Sequence, residues 1–126
     1  MGEKVVIVDD DNTFILILNK FLNNLNFQVF SAENGVDGFK LIETEKPDLV
    51  ISDMLIPGIH GVELCRKIKA DPELKHIKVI LMTSVYKGSI QRSEDLACNA
   101  DGFIEKPFDF DELKAILIDI NDRSNI

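Results

Sequence analysis

The chain has 126 residues, of which 45% are hydrophobic and 29% are charged, a composition typical of one globular domain and not of a disordered or fibrous chain. Its 14 basic and 22 acidic side chains give a net charge of −8, which opposes direct binding to nucleic acid and to anionic membranes. No apolar stretch is long enough for a membrane span, and no signal peptide is visible. We therefore expect one domain over residues 1–126.

Five short apolar runs predict the strands of a parallel sheet. The first run, at residues 5–8, is β-branched, uninterrupted and followed by three aspartates, which is typical of a strand covered on both faces. The other runs lie at residues 27–30, 49–51, 79–82 and 103–104. Because buried parallel strands need crossover connections, helices are expected between them.

The segments between these runs predict five helices. Four of them are expected at residues 12–25, 34–45, 61–70 and 87–99, and the fifth carries Phe110, Leu113, Leu117 and Ile120 at helical spacing. Strands that alternate with helices predict one α/β domain, with a doubly wound parallel sheet covered by helices on both faces.

Two cysteines, Cys65 and Cys98, lie within predicted helices. They form neither a C-x-x-C pair nor a Cys/His cluster, so neither a zinc site nor a redox motif is indicated. We predict that both are buried free thiols, as expected of a protein in the reducing cytoplasm.

Polar side chains follow four of the predicted strands. They are Asp9, Asp10 and Asp11, then Asp53, then Thr83 and Ser84, then Lys106. In a doubly wound sheet the ligand crevice lies beyond the carboxyl ends of the strands, so these side chains are expected to converge there. Clustered carboxylates repel one another, and Mg²⁺ prefers such oxygen ligands. The sequence therefore predicts a magnesium site at Asp9, Asp10 and Asp53, with Lys106 as a fixed counter-charge and Asp11 as a helix cap.

Four motifs at these strand ends together resemble the receiver domain of bacterial two-component response regulators. They are Val8-Asp9-Asp10, then Ile51-Ser52-Asp53-Met54 with Pro57-Gly58 and Gly61 after it, then Met82-Thr83-Ser84, then Lys106-Pro107-Phe108. The resemblance covers nearly the whole chain, and four motifs in order are far more specific than any one of them. It implies a flavodoxin-like sheet with strand order 2-1-3-4-5 and a cis Lys106–Pro107 peptide bond.

The resemblance implies that Asp53 is the phosphoacceptor of a signalling domain. The phosphoryl group would come from the phosphohistidine of a histidine kinase or histidine phosphotransfer protein, or from acetyl phosphate. Asp9, Asp10, Asp53 and the backbone carbonyl of Leu55 would hold Mg²⁺. The domain would be regulatory and not an enzyme, with self-phosphorylation and self-dephosphorylation as its only chemistry.

The resemblance also assigns the phosphoryl contacts and a conformational switch. Lys106 and the Thr83 hydroxyl would bind phosphoryl oxygens. As Thr83 is drawn toward the phosphoryl group, the ring of Phe103 would turn inward and reshape the surface made by the helix at 87–99, the last strand and the last helix. That surface would contact a downstream protein or output domain, and it could pair two copies of the chain.

A weaker feature lies on the first predicted helix. At about 100° per residue, Leu16 lies opposite the stripe of Phe14, Leu18 and Leu25. Leu16, with Ile15 beside it, is therefore predicted to be exposed near the acidic crevice and to dock the helices of a kinase or phosphotransfer protein.

Three other functions fit parts of the sequence. Asp9-x-Asp11-x-Thr13 after an apolar strand resembles the nucleophile motif of haloacid-dehalogenase-type, Mg²⁺-dependent phosphatases, in which Asp9 would be the nucleophile and Asp53 would have no role. A receiver-like adaptor would bind partners without being phosphorylated, although every acidic, Thr and Lys position is present. A flavodoxin-type FMN module would share the fold, but three aspartates would repel its phosphate.

Overall fold

The computed structural model describes residues 3–83 and 98–124, with side chains described as far as residue 121. Its elements in chain order are β1 Lys4–Val8, α1 Asn12–Asn24, β2 Gln28–Ala32, α2 Gly35–Glu45, β3 Leu49–Asp53, α3 Gly61–Ala70, β4 Lys78–Thr83, β5 Gly102–Glu105 and α4 Phe110–Ser124. The strands form one parallel sheet in the order β2-β1-β3-β4-β5, which confirms the predicted fold. None of the described helices is long and apolar enough to cross a membrane.

Most element bounds agree with the sequence within two residues, and the differences have a simple cause. β2 continues through Ser31 and Ala32, past the predicted end at residue 30, because these two residues pair in register with Ile7 and Val8 of β1. The ladder of backbone hydrogen bonds, and not side-chain polarity, therefore decides where this strand ends. The predicted helix at 87–99 lies outside the described residues apart from Cys98 and Asn99, which are not helical.

The core lies in two layers, one on each face of the sheet. Alternate residues of a strand point to opposite faces, so Val5 and Ile7 pack in one layer and Val6 and Val8 in the other. Helices α1 and α4 cover the first layer, and α2 and α3 cover the second. Cys65 and Cys98 are buried free thiols in the second layer, as predicted.

Helix α1 buries Ile15, Leu18 and Leu22 against the sheet. Leu16 is 70% exposed, as predicted, whereas Ile15 is only 7% exposed. The prediction that Ile15 is available to a partner is therefore wrong. The partly buried Phe14, Phe21 and Leu25 lie at the margin of the buried stripe, so the centre of that stripe is one residue further along the helix than the sequence indicated.

Candidate functional site

Three carboxylates meet at the carboxyl edge of the sheet. Asp9 and Asp10 follow β1, and Asp53 is the last residue of the adjacent strand β3. Each offers an oxygen atom, and these oxygens lie within 4.8 Å of one another. Asp9 and Asp53 are buried, whereas Asp10 is exposed. The cluster therefore has a buried floor and one carboxylate at its mouth.

Lys106 bridges the two buried carboxylates from the loop after β5. Its Nζ donates hydrogen bonds to Asp9 Oδ2 at 2.8 Å and to Asp53 Oδ2 at 3.0 Å. The Lys106–Pro107 peptide bond is cis, as predicted. Burial lowers the pKa of Lys106, but the hydrogen bonds to Asp9 and then Asp53 outweigh it, so that the pKa lies above its ordinary 10.5. The side chain therefore carries its positive charge at neutral pH.

Backbone N–H groups orient the other oxygen of each buried carboxylate. Asp9 Oδ1 accepts a hydrogen bond from the Asp11 N–H at 2.9 Å, and Asp53 Oδ1 accepts one from the Leu55 N–H at 3.0 Å. Both carboxylates are thus held by an ammonium on one oxygen and an amide on the other. Such double anchoring fixes their positions before any ligand arrives.

Glycines allow the loop between β3 and α3 to pack tightly beside Asp53. A Cβ on Gly61 would lie 2.4 Å from the backbone oxygen of Asp53, and Gly58 has a φ of 82°, a conformation that favours glycine. The Gly35 N–H of α2 donates to the Pro57 carbonyl at 2.9 Å. This packing gives the Pro57-Gly58 and Gly61 positions of the motif a physical role, since it holds the segment that carries Leu55.

The remaining predicted positions lie at the ends of β4 and β5. Thr83 is buried at the end of β4, and its carbonyl accepts the Lys106 N–H at 2.6 Å. Phe103 lies on β5 with 40% of its surface exposed. Ser84 lies outside the described residues.

The sequence did not assign a site role to Phe14. It identified this residue only as part of the apolar stripe of α1, whereas the structure places its ring centroid 4.3 Å from Lys106 Nζ. Its position three residues after the cap Asp11, in the first helical turn beside the crevice, was the available signal.

The fold and the pocket together define a doubly wound α/β protein with an acidic, lysine-bridged pocket at the carboxyl edge of its sheet. The family model described as "Response regulator receiver domain" matches residues 5–118. Sporulation initiation phosphotransferase F of Bacillus subtilis (strain 168) is 39% identical over 115 residues, which cover 90% of each protein. The signal receiver domain of a signal transduction histidine kinase from Syntrophus aciditrophicus has 32% identity and a TM-score of 0.83 over 94% of this chain and 89% of that one.

The chain belongs to the response regulator receiver domain family, and its function is that of a receiver domain of two-component signal transduction. The alkaline phosphatase synthesis transcriptional regulatory protein PhoP of Bacillus subtilis (strain 168) is 31% identical over the whole chain, but the match covers only 51% of PhoP. The chain thus spans about half the length of that relative. The alternative prediction of a haloacid-dehalogenase-like phosphatase with Asp9 as nucleophile finds no support in these comparisons.

Proposed function

We propose that Asp53 accepts a phosphoryl group in a Mg²⁺-dependent reaction. The observation that carries the proposal is the bridge of Lys106 Nζ between Asp9 and Asp53, at 2.8 and 3.0 Å. It places a fixed positive charge beside a carboxylate at the open end of the sheet. Phosphoryl transfer has a loose transition state and depends mainly on positioning and charge neutralisation, both of which this arrangement supplies.

The donor set fits a hard divalent cation. Three carboxylates surround the pocket and one ammonium faces them, so negative charge is left over when all are ionised. Asp9, Asp10, Asp53 and the Leu55 carbonyl would hold Mg²⁺, which favours a few carboxylates with waters and phosphate oxygens. When bound, it would neutralise charge on the phosphoryl oxygens.

The chain's own residues then have distinct tasks. A carboxylate oxygen of Asp53 forms the new O–P bond, while the N–P bond of a phosphohistidine breaks and the departing imidazole nitrogen takes up a proton. Lys106 and the Thr83 hydroxyl bind phosphoryl oxygens. In self-dephosphorylation, water attacks the phosphorus and releases inorganic phosphate, which restores the Asp53 carboxylate.

The proposal includes the partners and the switch. A histidine kinase or histidine phosphotransfer protein donates the phosphoryl group and docks on exposed Leu16 of α1. Inward rotation of the Phe103 ring, coupled to Thr83, then alters the surface offered to a downstream protein or output domain. Pairing of two copies through that surface involves residues 87–97, which lie outside the described residues, and it stays a prediction, as does the cytoplasmic location.

Labelling with acetyl phosphate and Mg²⁺ tests the proposal directly. The unsubstituted chain should gain one phosphoryl group on Asp53 that base or hydroxylamine removes, as expected of an acyl phosphate, and Asp53→Ala should gain none. Glu43→Gln, which removes an exposed carboxylate on α2, is the matched control and should be labelled normally. Beryllofluoride, a phosphoryl analogue, should protect Asp53 from chemical modification. Equal labelling of Asp53→Ala, or a label on Asp9, would contradict the proposal, and a chain that no phosphodonor labels would favour the adaptor function.

A further inference from the structure

The ring of Phe14 covers the ammonium group that bridges the pocket. Lys106 Nζ lies 4.3 Å from the centre of the ring, within the distance of about 6 Å at which a cation is attracted by the face of an aromatic ring. The Lys106 side chain is only 17% exposed. Because this attraction grows when water is excluded, the contact is stronger here than at an open surface.

A series of contacts that begins and ends at Asp9 fixes the Phe14 ring in this position. Asp9 Oδ1 accepts the Asp11 N–H at 2.9 Å, and Asp11 Oδ1 accepts the Phe14 N–H at 3.1 Å as the N-cap of α1. The Phe14 ring then contacts Lys106, whose Nζ returns to Asp9 at 2.8 Å. The helix cap therefore sets the ring relative to the same carboxylate that the lysine binds.

Aromatic packing supports the ring from the side of the lysine loop. Phe108, two residues after Lys106, meets Phe14 edge to face with the ring centres 5.9 Å apart. Phe108 also contacts Phe110 of α4, which stacks on Phe21 of α1 at 4.5 Å. The Phe14 ring and the loop that carries Lys106 thus both pack against the α1–α4 interface.

We propose that Phe14 is a positioning residue for Lys106, which holds the ammonium over the pocket by the attraction of its ring face and so accelerates phosphorylation of Asp53. The inference rests on the proposed function of Asp53 and Lys106. It differs from a packing role, because packing depends on the size and shape of the ring, whereas the attraction depends on the electron density of its face. Fluorine atoms withdraw that density while nearly preserving the shape.

The test uses the full chain with mono-, di- and pentafluorinated phenylalanine at position 14. Initial rates of labelling by acetyl phosphate and Mg²⁺ should fall stepwise with the number of fluorines, by about fivefold at the end of the series. Phe14→Tyr should be labelled at the unsubstituted rate. Phe14→Leu should be labelled as slowly as the pentafluorinated chain. The same series at Phe39, whose ring lies 5.2 Å from Lys67 Nζ in the core layer on the other face of the sheet, is the matched control and should leave the rate unchanged.

A second measurement does not depend on phosphorylation. In the NMR spectrum the ε-methylene protons of Lys106 should be shifted upfield by the ring current of Phe14, and Phe14→Leu should remove the shift. Equal rates across the series at Phe14, an equal fall across the series at Phe39, or no upfield shift would overturn the inference. An upfield shift in a chain that is never labelled on Asp53 would instead show that the proposed function had failed, and the role of Phe14 in it as well.

Discussion

Asp9 and Lys106 are 97 residues apart in the sequence, yet their side chains form an ion pair of 2.8 Å. The pair links the end of β1 to the end of β5 across the two strands that lie between them, β3 and β4. The Asp9 side chain is 1% exposed, and a buried charge that loses its partner destabilises a protein more than the intact pair stabilises it. The pair is therefore both a structural tie and part of the proposed site.

Lys106→Met tests both roles of this lysine. It removes the charge and keeps most of the apolar length, so that Asp9 and Asp53 face each other without a bridging cation. We expect the free energy of unfolding without Mg²⁺ to fall by about 3 kcal/mol and labelling by acetyl phosphate to slow by about 100-fold. Urea unfolding and labelling kinetics measure the two effects.

Lys114→Met is the control for this change. Lys114 is an exposed lysine of α4, and its replacement should alter neither quantity. A Lys106→Met chain that is labelled at the normal rate would show that the ammonium takes no part in the transfer.

Asp10→Asn tests the metal site by removing the charge of its exposed carboxylate. Because Asp10 shares the pocket with two other carboxylates, removing its charge should raise the free energy of unfolding in the absence of Mg²⁺ by relieving repulsion. In saturating Mg²⁺ the unsubstituted chain should instead have the larger free energy of unfolding. A ligand at about 100 times its dissociation constant stabilises the native state by about 2.7 kcal/mol, and the variant should gain much less.

Thermal unfolding with Mg²⁺ or with a chelator measures this reversal, and Glu43→Gln serves again as the control for loss of one exposed negative charge. If Mg²⁺ raised the melting temperature of Asp10→Asn as much as that of the unsubstituted chain, Asp10 would not be a ligand.

The sheet could be predicted from the sequence because buried parallel strands are short apolar runs, and their polar successors mark one edge of the sheet. The pocket could also be predicted, because Asp9, Asp53 and Lys106 each end a strand or follow one at that edge. Contacts that depend on helix phase could not be predicted. A stripe drawn through Phe14 and Leu18 made Ile15 a surface residue, although Ile15 is buried. The Phe14–Lys106 contact depends on the Asp11 cap and the Phe108 ring, neither of which hydrophobic periodicity encodes.

The buried thiol of Cys65 should make the stability of the fold depend on pH in alkaline solution. Burial first, and then the adjacent Cys98, raise the pKa of Cys65 above its ordinary value of 9.0. Above that pH the thiol ionises in the unfolded chain but stays protonated in the native state, so the native state loses stability as the pH rises. This one group should lower the free energy of unfolding by about 1.4 kcal/mol between about pH 8 and about pH 10.

Comparison with Cys65→Ala isolates this effect from other groups that titrate in the same range. The stability advantage of the unsubstituted chain over Cys65→Ala, measured in reducing buffer, should shrink by that amount across the interval. Leu64→Ala shortens the side chain at the neighbouring buried position of α3. It should lower the free energy of unfolding by the same amount at both pH values. If the difference in free energy of unfolding between the unsubstituted chain and Cys65→Ala did not change with pH, the raised pKa of Cys65 would be contradicted.

Exposed Leu16 on α1 should matter to a protein phosphodonor and not to a small one. Because 70% of its surface is exposed, Leu16→Ser removes little buried apolar area, and the free energy of unfolding should change by less than about 0.5 kcal/mol. Acetyl phosphate bypasses any docking surface, so its rate should be unchanged. Transfer from a cognate phosphohistidine protein should slow by about tenfold, as expected for a residue within a docking interface.

Ile118→Ser is the matched control, since Ile118 is a large apolar residue exposed on α4. Both changes remove one exposed apolar side chain, so a general effect of surface polarity would appear equally in the two variants. If the donor docks beside the acidic pocket, Leu16→Ser should slow the protein-to-protein transfer and Ile118→Ser should not. Equal transfer rates in Leu16→Ser and the unsubstituted chain would place the donor on another surface of the domain.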